Sequence, residues 1–346
     1  MRRHLNTLYV TTDGAYVRKD GANVVVEVDG AERMRVPVHM LGAVVAFGRV
    51  GLSPALMGHC LGEGVAITHL SENGRFLARV EGPVSGNVLL RRAQYRRADD
   101  PEGAAEIVRA IVVAKAVNQR GVLRRALRDH GASLAEAPRA ALDAAEARLT
   151  DIARRAQRPA GVDGLRGLEG EAAAVYFGVF DHLIRAEDPA LRFRGRSRRP
   201  PLDPMNALLS FLNTLLVHDC RAALETVGLD PASGFLHALR TGRPSLALDL
   251  AEEFRPHLAD RLALSLINRG QLGPSAFRRM DNGAVLLTDE ARKTVLVAWQ
   301  ERKKDELVHP LLDEKVTVGL LPHIQAQLLA RCLRGDLDGY PPMIWK

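Results

Sequence analysis

Cysteine is scarce in this chain of 346 residues. Its three cysteines, Cys60, Cys220 and Cys332, lie far apart, and none sits in a Cys-x-x-Cys pair. A disulfide framework and a cysteine-caged structural zinc are therefore excluded, and a cytoplasmic home is expected. Long apolar runs are missing too. Nothing approaches the roughly 18 residues that a membrane-spanning helix needs. No apolar segment follows the basic start MRRHLNTLYVTTDG, so no signal peptide is read. The phosphate-cradling and nucleophile motifs GxGxxG, Walker-type loop, GxSxG and HExxH are absent, which argues against nucleotide-driven and serine-hydrolase chemistry. There is no repeat at solenoid period and no low-complexity tract.

What remains is an ordinary globular composition, 47% hydrophobic and 26% charged, in a chain too long for one average core. Two domains are expected. The net charge is +7 with a pI near 9.6, and the excess is concentrated. Residues 89–128 carry ten Lys or Arg against four Asp or Glu, and residues 192–199 carry five arginines and no acid. Such clusters attract polyanions and release counterions on binding, although a solvated face is the plainer account of either one.

The patterning predicts an α+β chain. A small β-rich N-terminal domain spans 1–85, and a larger all-α domain spans 86–346. In the first, short β-branched runs are punctuated by Asp13-Gly14, Asp20-Gly21, Asp29-Gly30 and Asn73-Gly74, which read as turn and hairpin signals. Strands are expected at 23–28, 41–47, 65–70 and 76–80, with a short helix over 53–62 capped by Ser53. Gly82, Pro83 and Gly86 mark the change of regime. Apolar spacing of three and four then predicts helices almost to the end, among them 101–130, 169–184, 206–227 and 246–254. The segment 161–167 reads as a loop. The start of the helix near 133 is ambiguous, because Ser133 and Glu136 have capping-box spacing while Pro138 also marks a first turn.

Without a cofactor cradle, the candidate chemistry rests on carboxylates and histidine. Glu169 stands between glycines in RGLEGEAA, where a ligand could come close; an acid in a first helical turn also simply favours the dipole. His237 follows in GFLH. Asp249 and Glu252, three apart in SLALDLAEE, share one helix face bordering an apolar stripe. Oxygen ligands plus one imidazole suit Mg²⁺ or Mn²⁺, which beside a phosphodiester would polarise the phosphoryl oxygen.

These same segments carry a resemblance. The order LEGEAAAVYF, GRSRRPPLDPMNALLSFLNTLL, GFLHALRTGRPSLALDLAEEFRP is similar to the CRISPR adaptation endonuclease/integrase family, the CRISPR-associated protein one, and GRSRRPP with PSLALDLAEEFRP most resembles its subtype I-C branch. The resemblance spans the whole chain. It implies that Glu169, His237 and Glu252 are catalytic metal ligands for Mg²⁺ or Mn²⁺, with Asp249 a fourth or water-mediated ligand. It implies a metal-dependent DNA endonuclease/integrase that inserts new spacers into a CRISPR array, by attack of a 3′-hydroxyl on a repeat phosphodiester. It further implies dimerisation through the N-terminal domain, a small ferredoxin-like second CRISPR-associated protein as partner, and double-stranded DNA as substrate. Arg196, Arg198, Arg199, Arg240 and Arg243 become candidate phosphate contacts, with structural salt bridges as the alternative. Tyr176 and Asn206 are either groups supporting the ligands or core packing. Two other classes stay open on the residues alone. One is a non-catalytic DNA scaffold, which has no use for acids on a basic surface. The other is a helical metallohydrolase of small phosphorylated molecules, which would show no salt-dependent DNA binding.

Overall fold

The turns of the first unit are set by residues that tolerate a left-handed backbone. In a computed structural model describing residues 6–72, 74, 76–82 and 88–345, Asp29 (φ 53°) and Gly30 (φ 74°) make a two-residue loop between β3 (Asn23–Val28) and β4 (Ala31–Pro37). Two positive φ angles in succession match the twist of the strands they join. Gly21 opens the corresponding turn from β2 (Tyr16–Asp20). Asp13-Gly14 does not close a hairpin. The strand before it, β1 (Asn6–Val10), pairs in parallel with β5 (Leu41–Phe47) in another sheet. A turn residue fixes the local bend, but long-range pairing chooses the partner. Asn73, Pro83 and Gly86 lie outside the described residues.

Two four-stranded sheets result. One has the order β4-β3-β2-β6, where β6 is Gly51–Leu52. The other has the order β1-β5-β7-β8, where β7 is Ala66–Leu70 and β8 is Phe76–Val80. Alternate residues such as Val24 and Val26, Val44 and Ala46, join Leu8, Val17 and Ile67 in one core. Leu56 and Cys60 of α1 (Pro54–Gly62) complete it. Ser53 caps that helix, its hydroxyl accepting from the Leu56 N–H at 3.2 Å.

Helices dominate from residue 88 onward: α2 (Val88–Asp99), α3 (Pro101–His130), α4 (Glu136–Ala156), α5 (Val162–Gly178), α6 (Pro204–Val227), α7 (Ser245–Glu252), α8 (Arg261–Asn268), α9 (Asp289–Lys304) and α10 (Leu321–Arg334). Asp100 and Asp203 cap α3 and α6, each with proline at the first position. The ambiguous start of α4 falls at Glu136, and the Ser133 hydroxyl donates to the His130 carbonyl instead of capping it.

The expected loop at 161–167 is helix. Glycine costs a helix interior about 1 kcal/mol relative to alanine, yet α5 lies against α3 and α4 and buries Leu165, Ala172 and Tyr176. Tertiary packing outweighs propensity, and Glu169 consequently sits mid-helix. Two small hairpins were also illegible as strands, β9 (Phe277–Arg279) with β10 (Val285–Leu287), and β11 (Glu306–Val308) with β12 (Lys315–Thr317). Three-residue strands are too short to show alternation.

By compactness, one unit comprises Met1–Gly86 with Leu296–Lys303, and the other Asn87–Val295 with Lys304–Lys346. No helix among the described residues is long and apolar enough to cross a membrane.

Candidate metal centre

The site begins with a carboxylate that organises a loop. Asp249 is fully buried on α7. Its Oδ2 accepts the N–H groups of Phe235 (2.6 Å) and Leu236 (3.0 Å), and its Oδ1 accepts the N–H of His237 (2.9 Å). The loop must lie almost on the helix for this. A Cβ on Gly234 would stand 2.7 Å from Asp249 Oδ2 and 2.7 Å from the backbone carbon of Ser245, so only glycine fits. Asp249 Oδ1 also lies 2.6 Å from His237 Nδ1. An ionised carboxylate only accepts, so Nδ1 carries a proton and Nε2 is the ring nitrogen left for another partner. The expected role of Asp249 as a metal ligand therefore meets a different geometry: both its oxygens are engaged in holding the loop and the ring.

His237 Nε2 faces Glu252, 3.7 Å from Oε1. Glu252, at the end of α7, has a side chain only 1% exposed. Glu169 on α5 and Lys115 on α3 complete the cluster. The Lys115 ammonium contacts Glu169 Oε1 and lies 2.7 Å from Glu252 Oε2. The Arg255 guanidinium bonds Glu252 Oε1. Burial opposes the charge on Glu252, but Arg255, Lys115 and His237 more than compensate and hold the carboxyl well below the usual range. Lys115 thus bridges Glu169 and Glu252, and His237 stands beside the other oxygen of Glu252.

Among the described residues, no three His, Cys, Asp or Glu side chains stand as a ready-made ion cage. The Lys115 ammonium lies between the two carboxylates. The donor set still fits a hard divalent cation. It offers two carboxylates and one imidazole nitrogen, and Oε2 of Glu252 is buried beside the Lys115 ammonium. Gly167 and Gly170, which flank Glu169, have open space where a Cβ would point.

The chain matches the family model described as CRISPR associated protein Cas1 over residues 8–301. It belongs to the Cas1 family. It is 62% identical, over the full length of both chains, to the CRISPR-associated endonuclease Cas1 2 of Rhodospirillum rubrum. It is 54% identical, again over both full lengths, to the CRISPR-associated endonuclease Cas1 1 of Chlorobaculum tepidum. Among solved structures, a Cas6-RT-Cas1–Cas2 complex matches 99% of this chain, with 25% identity and a TM-score of 0.81; this chain covers 36% of that longer one. The β-rich first part and helical second part are those of Cas1 structures.

The arginines of this Cas1 family member divide in two. Arg196 is tied down: it donates at 2.7 Å both to the Ser197 carbonyl and to Asn206 Oδ1, and it lies over the Phe177 ring. Buried Asn206 also donates to the Gly195 carbonyl and to Asp203, so it anchors the basic loop to α6. Arg196 is therefore a strut of that loop, the structural alternative raised for these arginines. Arg198, Arg199 and Arg240 are exposed, and Arg243 is half-buried. Tyr176 is core, its ring edge-on to Phe177 and Phe180. A separate cleft of about 610 Å³ is lined by Arg192, Arg194, Arg196, Phe277 and Arg279, and none of the converging acids lines it.

Sequence reading missed Lys115 and Arg255. The signal for Lys115 was present. It stands with Asn118 and Gln119 on the face of α3 that buries Ile111, Val112 and Val122, a place where polar residues need partners. Counted only as part of a basic stretch, it went unremarked.

Proposed function

We propose that this chain is a metal-dependent DNA endonuclease and integrase that inserts spacers into a CRISPR array. It is a nuclease of the spacer-integrating class, and the observation that supports the site assignment is that Glu169 and Glu252 meet at Lys115 while His237 Nε2 stands 3.7 Å from Glu252 Oε1. These three would hold Mg²⁺ or Mn²⁺, which when bound there polarises a phosphodiester oxygen and neutralises developing charge. Asp249 fixes the tautomer and direction of His237. Arg255 steadies Glu252. In the reaction, the oxygen of a fragment's free 3′-hydroxyl forms a bond to phosphorus of the repeat, and the bond from that phosphorus to the repeat strand's own 3′-oxygen breaks. Water in the place of the hydroxyl makes the same displacement a cut.

Double-stranded DNA is the substrate in this reading, and exposed Arg198, Arg199 and Arg240 with half-buried Arg243 would meet its phosphates. A Cas2-type ferredoxin-like protein is the partner, in keeping with the Cas1–Cas2 assembly whose fold this chain shares. The first unit is the dimerisation module, and it leaves Tyr16, Met34, Phe76 and Leu77 exposed. The I-C assignment rests on GRSRRPP and PSLALDLAEEFRP. Plasmid nicking and fragment integration, assayed with Mn²⁺ and with EDTA, test the proposal: chelation should stop both. Glu169→Ala or His237→Ala protein that folds normally and still integrates at the wild-type rate overturns it.

A further inference from the structure

The ammonium at the centre of the cluster is not explained by the ligands alone. Lys115 projects from the buried face of α3, its side chain 5% exposed, among Ile111, Val112, Ala114 and Ala116. A lysine reaches such a place only if its charge is matched. Here it meets Glu169 and Glu252, while Arg255 bonds the other oxygen of Glu252. Lys115 and Arg255 are the two cations that meet these carboxylates, and the positive charge shared by both acids belongs to the chain itself.

We infer that Lys115 is an internal counter-ion that occupies the cation position of this site and competes with the divalent metal for Glu169 and Glu252. This rests on the metal assignment above and adds to it. A divalent ion between the same carboxylates would sit within a few ångströms of Nζ, and charges of like sign at that separation repel strongly where water is excluded. The ammonium must leave its two oxygens as the ion arrives. The long flexible stem of lysine allows that movement, which a rigid guanidinium would resist. Two consequences follow. Lys115 prevents two converging acids from repelling each other when no ion is bound, and it weakens the ion's affinity by the strength of the contact it must give up.

The experiment uses the full-length chain as wild type, Lys115→Met and Lys115→Arg. Mn²⁺ binding is read by calorimetry, and melting is followed in EDTA and in Mn²⁺. Lys115→Met should bind Mn²⁺ about tenfold more tightly than wild type, because the competitor is gone. It should melt several degrees lower in EDTA and recover most of the loss in Mn²⁺, because the acids then have a cation again. Lys115→Arg, which keeps the charge, should melt in EDTA like wild type. Mn²⁺ affinity of Lys115→Met equal to or weaker than that of a wild type that does bind Mn²⁺ would overturn the inference while leaving the metal assignment intact. Failure of folded wild type to bind Mn²⁺ at all removes both. Should Lys115→Met not fold, wild type decides by another route. Labelling of Lys115 with an amine-reactive reagent, read by mass spectrometry, should rise when Mn²⁺ is added, and unchanged labelling counts against displacement.

Discussion

Glu252 and Glu253 share a peptide bond and are both buried, yet they face two different regions. Glu252 looks into a cluster of cations and donors, where Arg255, Lys115 and His237 outweigh burial and keep its carboxyl ionised. Glu253 looks toward the C-terminal segment and meets no cation among the described residues. It accepts from the Tyr340 hydroxyl, the Met343 N–H and Gln325 Nε2 (3.2 Å), and burial, which these bonds only partly offset, pushes it up to about 8. Asn118, one turn after Lys115, joins the second region by donating to the Glu253 carbonyl at 2.8 Å and the Met343 carbonyl at 2.9 Å. The contrast teaches that burial alone does not make an acid reactive. The acid with cations beside it is the one able to bind an ion; its neighbour knots the chain's end to the helix that carries the site.

The most forceful way to break that contrast is to neutralise each acid in turn. Glu252→Gln should abolish Mn²⁺-dependent nicking and integration, by more than the roughly 10–100-fold that losing a supporting group costs. Glu253→Gln should leave turnover within a few-fold of wild type. Equal losses in a side-by-side nicking assay would erase the distinction. Asp249→Asn sharpens it next. An amide cannot accept at both oxygen positions, so the hold on His237 weakens, and Mn²⁺ affinity measured by calorimetry should fall about 10–100-fold.

A smaller effect is a pH dependence carried by the buried acids. Glu253 rises from 4.5 to about 8. Asp260, the last residue of a π-helical turn (Pro256–Asp260) after α7, rises from 3.8 to about 7 through burial, despite Arg196, Arg255 and Lys115. Across roughly pH 5 to 8 the folded protein holds protons that the unfolded chain has released, so stability should decline as pH rises through that window. Melting at pH 5 and pH 8 checks this in EDTA: wild type should melt lower at pH 8, and Glu253→Gln with Asp260→Asn should flatten the difference. A wild-type midpoint that climbs toward pH 8 contradicts it. Smallest of all, Arg198→Ala at the exposed loop should weaken DNA binding evenly across sequences and reduce the salt slope by about 1. A binding titration over ionic strength reads that, and an unchanged slope would place Arg198 off the DNA.

Strands β3, β5 and β8 were legible to the residue, because β-branched runs end at glycine turns whose geometry is local. Helices α3 and α6 were legible from apolar spacing, and their Asp100 and Asp203 caps only from the structure. The first turns of the helix carrying Glu169 were not, because Gly161, Gly164 and Gly167 look like loop until α3 and α4 are packed against them. Of the site, the segments bearing Glu169, His237, Asp249 and Glu252 could be picked out by residue type and by family resemblance. Their division of labour could not. Asp249 and Glu252 look equivalent along the chain, and only the loop at Gly234 shows that one binds backbone while the other faces inward. Arg196 and Arg198 look equivalent too, until Asn206 takes the first.

The sequence by itself determined the inventory: a β-rich start, a helical remainder, an Asp and a Glu three apart, an arginine-rich stretch, and no nucleotide or cysteine machinery. Those are properties of neighbours along the chain, and periodicity and turn chemistry report them directly. Only the tertiary structure decided which charges meet. Lys115, Glu169, His237 and Glu252 lie on separate segments of the chain, and the interaction of charges depends on distance in space and on exclusion of water, neither of which any local pattern encodes.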